Sequence, residues 1–280
     1  MAESGSLNLK VTLLGTGTSH GVPMIGCECR VCRSTDPRDR RSRPSILVEL
    51  LDRGGPAATS AVRDAVQSIL VDTSTDLRAQ ALTHRVTRVD AILFTHSHAD
   101  HVMGLDEVRR YNVMQREPLA CFADARTVGD IERTFAYVFH PPEAGGGIPQ
   151  IVLRPIAGPF SLGGAEIIPV PIMHGVRPIL GFRIGTFAYL TDCSAIPDQS
   201  WPLLEGVRTL VLDALRDRPH PTHFSVGEAL EVAARLSPGR TYFTHICHDL
   251  PHAETCHRLP PGVELAYDGL VLEIPDQEWT

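Results

Sequence analysis

The segment Thr95-His96-Ser97-His98-Ala99-Asp100-His101 constrains this chain more than any other stretch. It follows the apolar run Ala91-Ile92-Leu93-Phe94, which reads as a short buried strand. Alternate side chains of an extended segment share a side, so His96 and His98 point the same way. Asp100 and His101 follow where the chain turns. Imidazole and carboxylate together suit zinc, manganese or iron.

Three further apolar strands end in the same kind of residue. Ile167-Ile168-Pro169-Val170-Pro171-Ile172-Met173 runs into His174, Phe187-Ala188-Tyr189-Leu190-Thr191 into Asp192, and Thr241-Tyr242-Phe243-Thr244 into His245. In open α/β sheets ligands gather beyond the carboxyl ends of strands. Together these strand ends offer His96, His98, Asp100, His101, His174, Asp192 and His245 to one shared site. That is too many donors for one ion and suits two, which in dinuclear centres sit ~3.5–4 Å apart and can activate water.

Runs rich in β-branched and aromatic residues, bounded by Gly, Pro or Asp, predict strands over Lys10–Leu14, Ser45–Leu50, Ser68–Val71, Ala91–Phe94, Leu119–Phe122 and Ile151–Pro155. The same pattern continues over Glu166–Met173, Ile179–Ile184, Phe187–Leu190, Thr209–Leu212, Thr241–Phe243 and Leu270–Ile274. Helical patterns fall near Asp76–His84, Leu105–Tyr111, Arg126–Val138 and Ser225–Leu236, the last opening on the capping-box pattern Ser225-Val226-Gly227-Glu228. Strands mixed with helices predict one layered α/β domain over residues 1–280. Arg53 to Gln67 reads as an insertion, and Pro141 to Pro149 as a second flexible stretch.

Net charge is −7, which argues against a chain-wide attraction for nucleic acid. No apolar run approaches the ~18 residues of a membrane helix, and the start is too polar for a signal peptide, so a cytoplasmic protein without a membrane partner is expected. Seven cysteines without an export signal argue for metal binding over disulfides. Cys27, Cys29 and Cys32 form a C-x-C-x-x-C cluster in a loop spanning residues 26–44. Three soft thiolates suit a tetrahedral structural zinc, which needs a fourth ligand. His248 is the first candidate, with Cys247 and Cys256 as alternatives. Cys121 and Cys193 sit in or beside apolar strands and read as packing residues.

Three other features stay open at this level. The loop Gly15-Thr16-Gly17-Thr18-Ser19-His20-Gly21-Val22-Pro23 lacks the Gly-Lys-Ser/Thr of a phosphate loop and reads as a tight turn near the metal site. Arg30, Arg33, Arg38, Arg40, Arg41 and Arg43 either dock a phosphate or pair with the interleaved Asp36 and Asp39. His223, just before the capped helix, is either an exposed loop residue or a proton donor.

The seven strand-end residues resemble the signature of the metallo-β-lactamase superfamily in its dinuclear form, and the likeness runs from Val11 to Ile274. The resemblance implies an αββα sandwich of two mixed sheets flanked by helices, with metals at one edge. It implies that His96, His98 and His174 bind one ion, that Asp100, His101 and His245 bind the other, and that Asp192 bridges them. With the loop at Gly15–Pro23, the cysteine cluster and Thr244-His245-Ile246-Cys247-His248, the chain looks like the phosphoribosyl 1,2-cyclic phosphate phosphodiesterases of the carbon–phosphorus lyase pathway. That likeness implies a Cys₃His zinc and makes His223 the general acid. The pyrroloquinoline quinone biosynthesis protein B group is similar more weakly, since its His-x-His-x-Asp-His stretch is degraded and the stretch here is intact.

The expected function is therefore hydrolysis of a small cyclic or nucleotide-like phosphodiester by a dinuclear metallohydrolase. Asp100, Asp192 and His223 would be catalytic. Two divalent ions, Mn²⁺ or Zn²⁺, would serve the active site and one Zn²⁺ the cysteine cluster. A ribonuclease Z-like nuclease ranks lower, because no long Lys/Arg-rich arm is visible. A non-catalytic metal-binding accessory protein of cofactor biosynthesis is the other alternative. The expected partner is a small molecule, and a homodimer is left open.

Overall fold

A computed structural model describes residues 7–52, 65–140 and 147–275. In chain order its strands are β1 Leu7–Gly15, β2 Ser45–Asp52, β3 Ala65–Val71, β4 Ala91–Leu93, β5 Leu119–Ala123, β6 Ile151–Pro155 and β7 Phe160–Leu162. They continue as β8 Ala165–His174, β9 Arg177–Ile184, β10 Phe187–Leu190, β11 Thr209–Asp213, β12 Arg240–Thr244, β13 Val263–Leu265 and β14 Val271–Ile274. The helices are α1 Leu77–Thr83, α2 Ala99–Val102, α3 Arg109–Gln115, α4 Ala125–Thr134, α5 Ala136–Phe139, α6 Val226–Leu236 and α7 His252–Arg258.

The strands form two sheets, ordered β14-β1-β2-β3-β4-β5-β6 and β13-β12-β11-β10-β9-β8-β7. Each is mixed in the same way. In the first, β3 to β6 run parallel and β14, β1 and β2 attach antiparallel. In the second, β10 to β13 run parallel and β9, β8 and β7 attach antiparallel. Parallel strands are normally covered on both faces, and β10 and β11 accordingly read as unbroken buried runs, Phe-Ala-Tyr-Leu and Thr-Leu-Val-Leu-Asp.

The inner faces pack on each other through Val11, Ile46, Val48, Ile69, Phe182, Ile184 and Tyr189. Residues of α1, α3 and α4 cover the first sheet through Leu77, Tyr111 and Ile131, and α6 covers the second through Val226, Ala229 and Val232. The fold is thus the αββα sandwich expected from the resemblance. The capping box holds: Ser225 Oγ accepts from the Glu228 amide, and Glu228 Oε2 accepts from the Ser225 amide at 2.8 Å. No helix among the described residues is long and apolar enough to cross a membrane.

Some expectations change. β7, β13, α2 and α7 were not anticipated; the two strands have three residues each and α2 has four, too few to show a period. The helix expected over Arg126–Val138 breaks at Phe135, whose φ of −110° and ψ of 40° leave the helical region. The helix expected over Leu105–Tyr111 begins as a 3₁₀ turn over Met103–Val108 and becomes α3. The insertion expected at 53–67 falls mostly outside the described residues, and its last three, Ala65, Val66 and Gln67, belong to β3. Residues 141–146 of the second flexible stretch also lie outside them.

Candidate metal centre

The carboxyl ends of the parallel strands open at one edge of the sandwich, and the sequence-predicted residues meet there. His96 and His98 follow β4, His174 ends β8, Asp192 follows β10 and His245 follows β12. Asp100 and His101 sit on α2. The ligand atoms of His96, His98 and His174 lie within 4.8 Å of one another, and so do those of Asp100, His101, Asp192 and His245. His101 Nε2 lies 3.1 Å from Asp192 Oδ2 and His245 Nε2 lies 3.2 Å from Asp192 Oδ1, so Asp192 touches both imidazoles.

Hydrogen bonds at the far nitrogens fix which atoms face the centre. His101 Nδ1 donates to Asp72 Oδ2 at 2.7 Å, and His174 Nδ1 donates to the Thr222 carbonyl at 2.8 Å. The Thr95 hydroxyl donates to Asp72 Oδ2 at 2.8 Å, which leaves its oxygen to accept from His96 Nδ1 at 3.0 Å. Each ring thereby turns its Nε2 toward the cluster, and such partners orient imidazole ligands. Burial pushes His96 well below the usual histidine range and lowers His98 and His174, which keeps them in the neutral, ligating form. Burial opposes charge on Asp192 as well, but His245 and His101 outweigh it and hold the carboxyl well below its ordinary range.

The donor set fits divalent cations. His96 Nε2 and both nitrogens of His245 are buried without a hydrogen-bond partner. A buried polar atom left unsatisfied costs ~1–3 kcal/mol, and a cation supplies the missing partner. Strain points the same way: Asp72, Asp192 and His245 adopt φ of 62°, 56° and 57°. A left-handed non-glycine residue costs about 1–3 kcal/mol and collects at functional sites.

His223 is buried, not an exposed loop residue. Its Nδ1 donates to Asp213 Oδ2 at 2.7 Å, and its ring stacks 4.6 Å from that of His245 and meets that of His174 edge-on at 4.7 Å. Its Nε2 is therefore the open nitrogen beside both halves of the cluster. Burial lowers His223 and pushes the Asp213 carboxyl well above its ordinary range.

Asp72 and Asp213 were missed by sequence reasoning. Asp72 directly follows β3 and Asp213 ends β11, the same strand-end signal that marked Asp192. Asp268 was missed too: its carboxylate accepts from the amides and hydroxyls of Thr16 and Ser42 at 2.7–2.9 Å. That bond set pins the Gly15–Pro23 turn. Gly15 and Gly17 press against the 41–43 backbone: a Cβ would meet the Arg43 carbonyl at 1.9 Å or the Arg41 carbonyl at 2.7 Å. The turn nears the metal centre through Ile246, whose amide donates to the Thr16 carbonyl at 2.9 Å.

The cysteine cluster is separate. The sulfurs of Cys27, Cys29 and Cys32 lie 3.2, 3.5 and 3.6 Å from His248 Nδ1. Cys247 and Cys256 are not in that group; their sulfurs accept the amides of Asp249 and Leu265 at 3.3 Å. Burial opposes ionisation of Cys29, but the Cys32 amide and the neighbouring thiols outweigh it and bring the thiol down to about 7. Cys32 is pushed up to about 11 by burial and by the other two sulfurs. Cys121 and Cys193 are fully buried. The arginines beside the cluster are mostly self-paired: Arg30 with Glu254, Arg33 with Glu28, Arg38 with Asp36, Arg41 with Asp39 and Arg43 with Asp76.

A model of the beta-lactamase superfamily domain matches residues 67–246. The crystal structure of a new diphosphatase from the PhnP family is 42% identical, superposes with a TM-score of 0.84, and aligns over 96% of this chain and 98% of that one. This chain belongs to the beta-lactamase superfamily, in its PhnP branch. A curated octanoyltransferase of Porphyromonas gingivalis is 36% identical over 265 residues, 94% of this chain and 51% of that protein. The chain thus spans about half the length of that relative. The coenzyme PQQ synthesis protein B of Methylobacterium nodulans is 29% identical over 95% of this chain and 100% of its own length. Within the superfamily fold, the clustered donors suit metal-dependent hydrolysis.

Proposed function

We propose that the chain is a metal-dependent phosphodiesterase acting on a small cyclic or nucleotide-like phosphodiester. The observation that carries this reading is the His223 imidazole, buried beside two adjoining groups of potential metal donors. His96, His98 and His174 would hold one ion, and Asp100, His101, Asp192 and His245 the other. Bound there, two divalent cations, Mn²⁺ or Zn²⁺, would activate water and offset charge on the phosphoryl oxygens. Asp72 fixes His101, and Thr222 fixes His174. His223 protonates the leaving oxygen through Nε2, while Asp213 at Nδ1 holds the ring in place. Cys27, Cys29, Cys32 and His248 hold a structural zinc. The PhnP-family diphosphatase supports a phosphorus-centred hydrolysis, since a diphosphatase splits a diphosphate linkage.

The test is substrate choice, with manganese-loaded and zinc-loaded protein at low salt, where RNA binding is most favoured. Bis(nitrophenyl) phosphate and small cyclic phosphodiesters should turn over. Phosphomonoesters should be poor, because their extra negative charge resists an anionic nucleophile. Efficient 3′-end cleavage of a precursor tRNA, with little turnover of small diesters, would replace this reading with that of a nuclease.

A further inference from the structure

Ser97 lies between two of the histidines in the motif, and its side chain joins three layers of the fold. Its Oγ donates to Asp130 Oδ2 at 2.5 Å and accepts from Arg177 Nη2 at 2.8 Å. Arg177 Nη2 also reaches Asp130 Oδ2 at 3.3 Å. Asp130 belongs to α4, outside the first sheet. Arg177 opens β9 in the second sheet, and its register partner on β8 is His174. Three residue pairs further along, the Leu180 amide of β9 donates to the Thr95 carbonyl at 3.1 Å. The loop bearing His96 and His98 is therefore bonded at two points to the hairpin that bears His174.

Stability alone is a poor reason for this network. The Arg177 side chain is 16% exposed, and its Nε is buried without a partner. Desolvating a guanidinium can cost as much as its ion pair returns, and apolar residues of similar volume often stabilise as well. What charged, directional bonds add is a fixed geometry. The three histidines come from two different sheets, with ring centroids 4.5–5.5 Å apart, and a donor set works only when held within ~0.5 Å of its productive arrangement.

We propose that Ser97, Asp130 and Arg177 are positioning residues that set the three-histidine half of the metal centre by locking the two sheets across it. The proposal rests on the metal-centre reading above. Its test is a Co²⁺ titration of the metal-stripped full chain. Ligand-field absorption reports the strand-end ions, and sulfur-to-metal charge transfer reports the cysteine cluster. Wild type should take two strand-end ions. Ser97→Ala and Arg177→Met should weaken one of them ~10–100-fold, the usual effect of removing a partner behind a ligand. The other ion, the charge-transfer band and the melting temperature of the metal-free protein should stay as in wild type. Arg177→Lys should recover part of the affinity, since a lysine restores one charged bond. Ser97→Ala removes a single oxygen and keeps the test decisive if Arg177→Met does not fold. Unchanged affinity for both ions overturns the proposal. So does a joint fall of all sites with the melting temperature, or a rise in KM alone, which would place Arg177 on the substrate. A wild type that takes no Co²⁺ at the strand ends instead overturns the metal-centre reading itself.

Discussion

The strand-end cluster draws its seven donors from residues 96 to 245, whereas the cysteine cluster draws three of its four from residues 27 to 32. The first set rests on strand ends in both sheets, on left-handed backbone at Asp192 and His245, and on partners behind His96, His101 and His174. The second sits in a loop without strands. That loop is tied to the 247–254 segment by the buried Arg41, which donates to the carbonyls of Cys247 and Leu250 at 2.8 and 2.6 Å, and by the exposed Arg30–Glu254 pair. In one case the fold places the donors. In the other, bringing His248 to the thiols joins a loop to the fold, and metal there would contribute directly to folding.

The most severe break in that comparison is Asp192→Ala. On the proposed roles it removes the donor that touches both His101 and His245, so activity and the strand-end metals should vanish together. Metal analysis should still find the zinc of the cysteine cluster. Loss of all three ions would mean that the two regions are not independent.

Next come His223→Ala and Asp213→Asn. Both should retain the metals. His223→Ala should lose ~10²–10⁴-fold in rate on substrates with poor leaving groups, the range of general acid catalysis. Asp213→Asn should lose less, because the ring remains but its orienting carboxylate does not. The deficits should shrink on nitrophenyl esters, whose leaving group needs little protonation. Equal losses on both substrate types would remove His223 from the acid role.

Cys29→Ser should have the smallest effect on chemistry. It should remove about one zinc per chain and lower the melting temperature, at ~2–4 °C per kcal/mol for a chain of this size. Folded protein should keep the strand-end pair and most of its turnover. A variant as stable as wild type would show that the cluster does not join the loop to the fold.

Much of this molecule is written locally. All twelve anticipated strands are present, because apolar runs bounded by turn residues mark buried strands wherever they lie. The seven strand-end donors were legible because each follows such a run, and the helix at Ser225 because its capping box is contained within four residues. Tertiary structure decided what depends on distant partners. It brought His248, not Cys247 or Cys256, to the three thiols, buried Arg41 against Asp39 and the carbonyls near residue 250, and paired the exposed Arg30 with Glu254. It also set Asp213 behind His223 and Arg177 against Ser97, 80 residues away. Residue type and spacing set strand periods and ligand chemistry. Which carboxylate or guanidinium meets a given imidazole or hydroxyl is fixed only when two sheets close on each other, and no local pattern encodes that meeting.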